Sequence, residues 1–453
     1  MISLSLKQLK EIVNGEFISI SDEDCLIHSV SIDSRNIEPN SLFIALIGEK
    51  FDGHAFAKSC VESGAIAVLV SHQVDLDIPQ ILVADTHKAL GQIAHWVRLQ
   101  VKTKIVALTG SSGKTSVKEM TASILQQCGQ TLFTKGNFNN DIGVPLTLLR
   151  LTEQDQFAVI ELGANHIGEI AYTTRLVQPQ TALINNISQA HLEGFGSLDG
   201  VAQAKSEIFL GLSKDGTAII NLMSYAENWF ELLADKHIQT FAIEQLTHNR
   251  TADFYASDLQ FGNTTNFVLH TPIGQCSVEL PLIGLHNVAN AIAASALAIS
   301  VGASLEAVTL GLQKVKPVKG RLYPIKLNDD QLILDDSYNA NVGSMIAAAN
   351  VLSLQSGYRV FVAGDMAELG SSAEICHQQV GETLRELAID CVVSVGTVSR
   401  LISEYSGVGH HFSNKMDAAR FLCNLLINKE KIVILVKGSR SAKMEDVIDL
   451  INK

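Results

Sequence analysis

Positive charge is scarce in this chain. Its 453 residues carry 34 Lys and Arg against 47 Asp and Glu, a net charge of −13. A general nucleic-acid binder needs a basic face to displace counterions from phosphates, so that class is excluded. A polyanionic substrate must then be held by local devices: glycine loops, helix N-termini, a few Lys and Arg, or a metal. Paired cysteines are also missing. The seven present, Cys25, Cys60, Cys128, Cys276, Cys376, Cys391 and Cys423, are scattered and contain no C-x-x-C pair. That usage fits free thiols in a reducing cytosol. Met1–Lys7 shows no basic segment leading into a long apolar one, so no signal peptide is expected. The most membrane-like stretch, Val288–Ala303, is interrupted by Asn290, Ser295 and Ser300. It is shorter than the ~20 residues a spanning helix needs. It predicts a helix buried between other elements, with no membrane insertion. No internal repeat or low-complexity tract stands out.

What is present is apolar material for several cores. With 47% hydrophobic and 18% charged residues the chain is not disordered. At roughly 150 residues per domain, its length suggests about three domains. The first stretch mixes short helices with strand-like runs such as Ser41–Leu46 and Ala65–Val70. From about Lys104 the grammar changes to short apolar runs, each followed by a polar or Gly-rich turn and a helical pattern. The runs are Ile105–Leu108, Phe157–Ile160, Thr181–Ile184 and Thr217–Ile220. Near-continuous apolar strands alternating with helices imply a mostly parallel sheet covered on both faces. A Pro/Gly/Lys segment, Val315–Gly320, reads as a linker. Beyond it lies a second α/β set with strands at Leu332–Leu334, Arg359–Val362, Cys391–Val395 and Lys431–Val436. The expected fold is therefore α/β in three domains over 1–100, 101–316 and 317–453: a small N-terminal unit, a central P-loop unit and a Rossmann-like C-terminal unit.

The strand Ile105–Thr109 runs into Gly110-Ser111-Ser112-Gly113-Lys114-Thr115 and then the helical Ser116–Gln127. Strand, glycine loop and helix is the context in which consecutive N–H groups surround a phosphate. Lys114 would neutralise β/γ oxygens, and the Thr115 hydroxyl would ligate Mg²⁺. The full G-x-x-x-x-G-K-[ST] pattern needs glycine at position 108, where this chain has Leu108. The loop alone says nucleotide phosphate and names no reaction. Beyond the helix comes Gly136-Asn137-Phe138-Asn139-Asn140-Asp141, whose amides can grip carbonyls and phosphates together or simply form an Asn/Gly turn.

With these landmarks the chain resembles the Mur ligases, ATP-dependent amide-bond ligases of peptidoglycan precursor synthesis. Others follow in the family's order: Glu161 after Phe157–Ile160, His191 in Ala190-His191-Leu192-Glu193, Lys205 in Ala204-Lys205-Ser206, and His286-Asn287-Val288-Ala289-Asn290. Gly320-Arg321 and Asp335-Asp336-Ser337-Tyr338-Asn339-Ala340-Asn341 complete them. The resemblance covers essentially the whole chain. Three strings favour the step that adds D-alanyl-D-alanine to UDP-N-acetylmuramoyl-tripeptide: Asp336–Asn341, Gly364-Asp365-Met366-Ala367-Glu368-Leu369-Gly370, and Lys437-Gly438-Ser439-Arg440. The diaminopimelate-adding sibling carries an Asp-Asn-Pro-Arg string that is absent here.

The resemblance implies an acyl-phosphate route, in which the substrate carboxylate attacks the ATP γ-phosphorus and an amine then displaces phosphate. Such chemistry depends on positioning and charge neutralisation. Glu161 and His191 would emerge at carboxyl ends of parallel strands, where open α/β sheets place ligands. Mg²⁺ would be held by Thr115 and Glu161, oxygen donors suited to a hard cation; the resemblance adds His191 to them, and a carbamylated Lys205 as ligand of a second Mg²⁺. Gly110, Ser111, Ser112, Gly113, Lys114 and Thr115 would bind ATP. Asn287 either reads adenine or caps its helix. Arg321 would reach the phosphates only when the third domain swings in, predicting closure on binding. Asp336 would contact ribose, and Asp335 is either a ligand or a strand terminus. Tyr338, Asn339 and Asn341, with Asn137, Asn139 and Asn140, would line the nucleotide and peptide cleft. Ser34 and Arg35 are expected at the UDP end. Lys437, Ser439 and Arg440 bind the dipeptide carboxylate or form a structural turn. A cytoplasmic monomer is the family's usual form.

Three alternatives compete. The ligase adding diaminopimelate or lysine is disfavoured by the missing string. A folylpolyglutamate-type ligase is disfavoured by the separate N-terminal domain. A non-ligating nucleotide switch would need no Glu161, His191 and Lys205 beside its phosphate loop.

Overall fold

The computed structural model of the chain describes all residues except 20, 21, 190, 191, 248, 263 and 453. The helix Leu6–Val13 opens on a capping box between Ser5 and Gln8 and buries Leu6, Leu9 and Val13. It covers a five-stranded sheet in the order Glu16–Ser19, Gln80–Leu82, Ala65–Val70, Ser41–Ile44 and Ser29–Ser31. Only the Glu16–Ser19 edge pairs antiparallel.

The helix Thr86–Gln100, capped by Asp85, fastens this lobe to the next. Arg98 donates from Nε to the carbonyl of Val177 at 2.8 Å and from Nη2 to that of Gln178 at 3.1 Å. A guanidinium there satisfies the free carbonyls ending the helix Glu169–Val177. One apolar core runs through both lobes, from Leu4 and Leu9 to Ile160 and Ile184.

The central lobe holds six strands, all parallel, ordered His237–Phe241, Thr217–Asn221, Thr181–Ile184, Lys104–Thr109, Phe157–Glu161, Thr131–Phe133. All five residues of Phe157–Glu161 are buried, as a strand covered on both faces requires. The Ala-rich helix Leu285–Ser300 is buried along most of its length. Among the described residues no helix is long and apolar enough to cross a membrane. A three-stranded antiparallel sheet, Tyr255–Phe261, Thr265–Thr271 and Gly274–Leu280, shares its core with that helix. No continuous apolar run marks these three strands in the sequence.

After Val315–Gly320 the third sheet runs Tyr323–Lys326, Gln331–Asp336, Ile432–Lys437, Tyr358–Gly364, Cys391–Val395, Gly409–Phe412. It is parallel except at its first edge. Asp336 and Lys437 end neighbouring strands in register, so two chain-distant charges are placed side by side.

Candidate active site

The carboxyl ends of the two parallel sheets face one cleft of about 440 Å³. Ser111 to Thr115, Asn139, Glu161 and Asn287 line it from the central lobe, and Arg321, Asp336, Tyr338 and Asn341 from the third. Asn137, Asn140, Asn339 and Lys437 border it too, whereas Gly110, Lys205, Ser439 and Arg440 do not.

Glycine is required at position 113. Its φ is +76°, and a β-carbon there would come within 2.6 Å of both Asn185 Nδ2 and Asn290 Oδ1. It caps the helix Lys114–Leu125 and turns that N-terminus toward the cleft. Two asparagines after the strand Thr181–Ile184 brace the loop. Asn186 accepts the Ser112 N–H at 2.8 Å, and the amides of Asn185 and Asn186 donate to the Ser112 carbonyl at 3.0 and 3.1 Å. Lys114 Nζ rests on the Gly110 carbonyl at 2.8 Å. Burial pushes this ammonium below the usual lysine range, with Glu161 pulling it up and Arg321 pushing it further down.

Glu161 is not a solvated strand-end carboxylate: it is 2% exposed. One oxygen accepts from the Asn139 amide at 2.8 Å and the other from the Thr115 hydroxyl at 3.2 Å. This pair of oxygen donors at a phosphate loop fits a hard divalent cation. Asn139 orients the carboxylate. His191 lies outside the described residues.

Lys205 occupies the last turn of the helix Leu198–Ser206, capped by Ser197. It is 1% exposed, so it is no solvated face, and its Nζ stands 5.8 Å from the centre of the Phe195 ring. Burial, then the nearby charge of Lys114, hold its amine well below the ordinary lysine value. That environment disfavours the ammonium form.

From the third lobe, Arg321 Nη2 already donates to Thr115 Oγ1 at 2.9 Å while its guanidinium stacks 4.5 Å from the Tyr338 ring centre. Asn341 uses Oδ1 to cap the helix Val342–Ser353 and Nδ2 to hold the Ser111 carbonyl at 3.3 Å. In this conformation Arg321 thus already stands at the phosphate loop. Gly320 makes the turn at φ +78° and its carbonyl accepts the Tyr338 N–H at 3.1 Å, which seats Arg321 beside Tyr338.

Asp336 and Lys437 form a buried ion pair at 2.6 Å. Burial raises the Asp336 carboxyl against the lowering pull of Lys437. Its second oxygen accepts the Leu322 N–H at 3.1 Å, and Lys437 also donates to the Asn339 carbonyl at 2.9 Å. Lys437 is thus committed to bracing the cleft wall. Asp335 is the buried penultimate residue of its strand, and its carboxylate accepts from the Ser337 hydroxyl at 2.6 Å. Asn287 is not the helix cap, because Gly284 takes that place and Asn287 donates to the Ile283 carbonyl at 2.9 Å. His286 beside it is held down to about 4 by burial and by the charge of Lys437, hence neutral.

Ser34 and Arg35 lie in the first lobe, where Arg35 is exposed and paired with Asp33 at 2.7 Å. Arg440 is exposed, bonds Glu445 at 2.7 Å, and its N–H meets Asn339 Oδ1 at 3.3 Å. Ser439 is buried beside it.

Three family models match in succession: "Mur ligase family, catalytic domain" over 26–102, "Mur ligase middle domain" over 108–298 and "Mur ligase, glutamate ligase domain" over 320–440. A UDP-N-acetylmuramoyl-tripeptide--D-alanyl-D-alanine ligase of Escherichia coli is 53% identical over 450 residues, covering 99% of this chain and 98% of its own. The chain belongs to the Mur ligase family. Among solved structures, MurF from Acinetobacter baumannii superposes with a TM-score of 0.94 at 40% identity, covering 100% of this chain and 99% of its own. A MurF ligase of Thermotoga maritima in complex with ADP gives 0.84 at 25% identity, covering 94% and 97%.

Asn185, Asn186 and Asn221 of this Mur ligase cleft belong to no motif named from the sequence, while His286 and Asn290 stand in the His286–Asn290 motif with no role assigned there. A signal existed for two of them. Asn185 and Asn186 directly follow an apolar parallel strand, the position at which such sheets present ligand-facing residues.

Proposed function

We propose that this Mur ligase joins D-alanyl-D-alanine to UDP-N-acetylmuramoyl-tripeptide, converting ATP to ADP and phosphate in the cytoplasm. The observation that carries the reading is the meeting of Lys114, Glu161 and Arg321 at one cleft between two lobes, in a chain 53% identical to a ligase bearing that activity in its name. The terminal carboxylate of the tripeptide attacks the γ-phosphorus, and the β–γ bridging oxygen leaves with ADP. The dipeptide amine then attacks the acyl carbon, phosphate departs, and the amine gives up a proton.

Each step brings like charges or poor electrophiles together, and this chain's residues answer by placement. Asn186 holds the Ser111 and Ser112 N–H groups, so the N–H groups at the helix N-terminus, from Gly113 to Thr115, cradle the phosphates, with Lys114 swinging from the Gly110 carbonyl onto the γ-oxygens. Arg321 adds a second cation from the third lobe. Asn287 reads adenine, its partner Asn290 holding it from the next turn, and Asp336 and Tyr338 flank the ribose. Asn137, Asn139, Asn140, Asn339 and Asn341 line the acceptor path. Thr115, Glu161, His191 and a carbamylated Lys205 would hold Mg²⁺, which when bound supplies positive charge between carboxylate and phosphate. Carbamylation joins the free-base form of the Lys205 amine to carbon dioxide with loss of one proton, replacing a buried amine by an anion. In this reading 1–100 holds the UDP end through Ser34 and Arg35, 101–316 holds ATP, and 317–453 presents the dipeptide with Ser439 and Arg440 beside Lys437.

The test is phosphate release from ATP with purified protein and each candidate acceptor and amine. Release should require both UDP-N-acetylmuramoyl-tripeptide and D-alanyl-D-alanine. Release with diaminopimelate and the dipeptide precursor alone, or with no acceptor, contradicts the reading.

A further inference from the structure

The string Gly364–Gly370 has no task in the nucleotide cleft, yet it is tightly anchored. Asp365 follows the strand Tyr358–Gly364 of the third sheet. Its carboxylate accepts three backbone N–H groups of one neighbouring loop, from Thr397 at 2.9 Å, Val398 at 3.0 Å and Ser399 at 2.7 Å. Gly396, at φ +142°, makes room for it, since a β-carbon there would collide with the carboxylate. The Asp365 carbonyl accepts the Ser439 N–H at 2.9 Å. One residue therefore ties together the loops leaving three neighbouring strands. Successive N–H groups curved around an anion make a nest. Here the chain's own carboxylate fills it, so the nest shapes the surface instead of binding a ligand. Burial pushes this carboxyl up, but the N–H bonds from Thr397 and Ser399 outweigh it and hold it below the ordinary range.

The anchored loop then crosses to the central lobe. The Met366 N–H donates to Nε2 of the buried His377 at 3.0 Å. Glu368, at φ +62°, turns its carbonyl to the Glu193 N–H at 3.1 Å. Glu193 belongs to the helix Leu192–Phe195, whose Phe195 ring lies against Lys205. The loop thus brings the third lobe against the central lobe beside Lys205, while Ser439 and Arg440, held through the Asp365 carbonyl, stand next to Asn339 at the cleft. An amine attacking an acyl phosphate on the central lobe has to be presented from this side.

We propose that Asp365 is a positioning residue for the incoming dipeptide, acting by fixing the Asp365–Leu369 and Ser439–Arg440 loops against the central lobe. This rests on the ligase reading above. The test measures KM for each of the three substrates on the full chain. Asp365→Asn keeps the shape but leaves one acceptor oxygen for three N–H groups. Its KM for D-alanyl-D-alanine should rise about tenfold or more, with KM for ATP and for the UDP-tripeptide within about twofold of wild type. Gly396→Ala disturbs the same seat with the charge retained, and should give the same split. A common rise in all three KM values, or a fall in kcat with an unchanged dipeptide KM, in both variants overturns the proposal. Wild-type protein that never uses D-alanyl-D-alanine overturns the ligase reading itself, and is recognised before any variant is measured.

Discussion

Lys205→Ala should lower kcat by about a thousandfold or more, and a short carboxylic acid in the assay should restore part of it. The side chain replaced is buried, and the ammonium form is disfavoured there both by desolvation and by Lys114. A cation left in that place would repel the charge needed at the phosphates. The reading gives Lys205 an anionic, carbamylated form, and an exogenous carboxylate imitates that anion in the space left by alanine. Activity of the wild type should also fall in buffer stripped of carbon dioxide and return on adding bicarbonate. An alanine variant of full activity refutes the assignment, as does a loss that no carboxylate relieves together with indifference to carbon dioxide.

Lys114→Met should also cost about a thousandfold in kcat, since one cation aimed at the transferring phosphoryl group is removed. Stability should move the other way or not at all. In the free protein Lys114 gains one bond to the Gly110 carbonyl while burial works against its charge. Methionine has similar length and no charge to desolvate. The paired measurement is phosphate release and a thermal melt. A variant that keeps most of its activity contradicts the role, and one that melts well below wild type shows that Lys114 is structural.

The parallel sheets were legible because buried strands read as apolar runs. Phe157–Ile160 and Thr181–Ile184 lie within the observed strands Phe157–Glu161 and Thr181–Ile184. The phosphate loop was legible because glycines and short polar residues have local physical reasons for their places. The antiparallel sheet from Tyr255 to Leu280 was not, because its strands are half exposed and punctuated by polar residues, so no continuous apolar run marks them. Contacts set by register were equally hidden. Asp336 and Lys437 meet only because two strands align, and an isolated lysine after an apolar strand carries no sign of its partner. Lys118 makes the same point: on a helix it looks solvated, yet it is fully buried and donates to the Thr134 carbonyl at 2.8 Å. The contacts at the joint between lobes were hidden for a related reason. A Pro/Gly/Lys segment suggests freedom, but the Gly320–Tyr338 bond and the Arg321–Thr115 contact seat the third lobe on the phosphate loop.

The account turns on direct transfer of the γ-phosphoryl group to the substrate carboxylate within that shared cleft. Labelling the acceptor carboxylate of UDP-N-acetylmuramoyl-tripeptide with oxygen-18 and weighing the released phosphate tests it most directly. The account predicts that each phosphate formed during ligation carries one labelled oxygen from the peptide. Phosphate that takes its fourth oxygen from water, with the label left in the peptide, would contradict it.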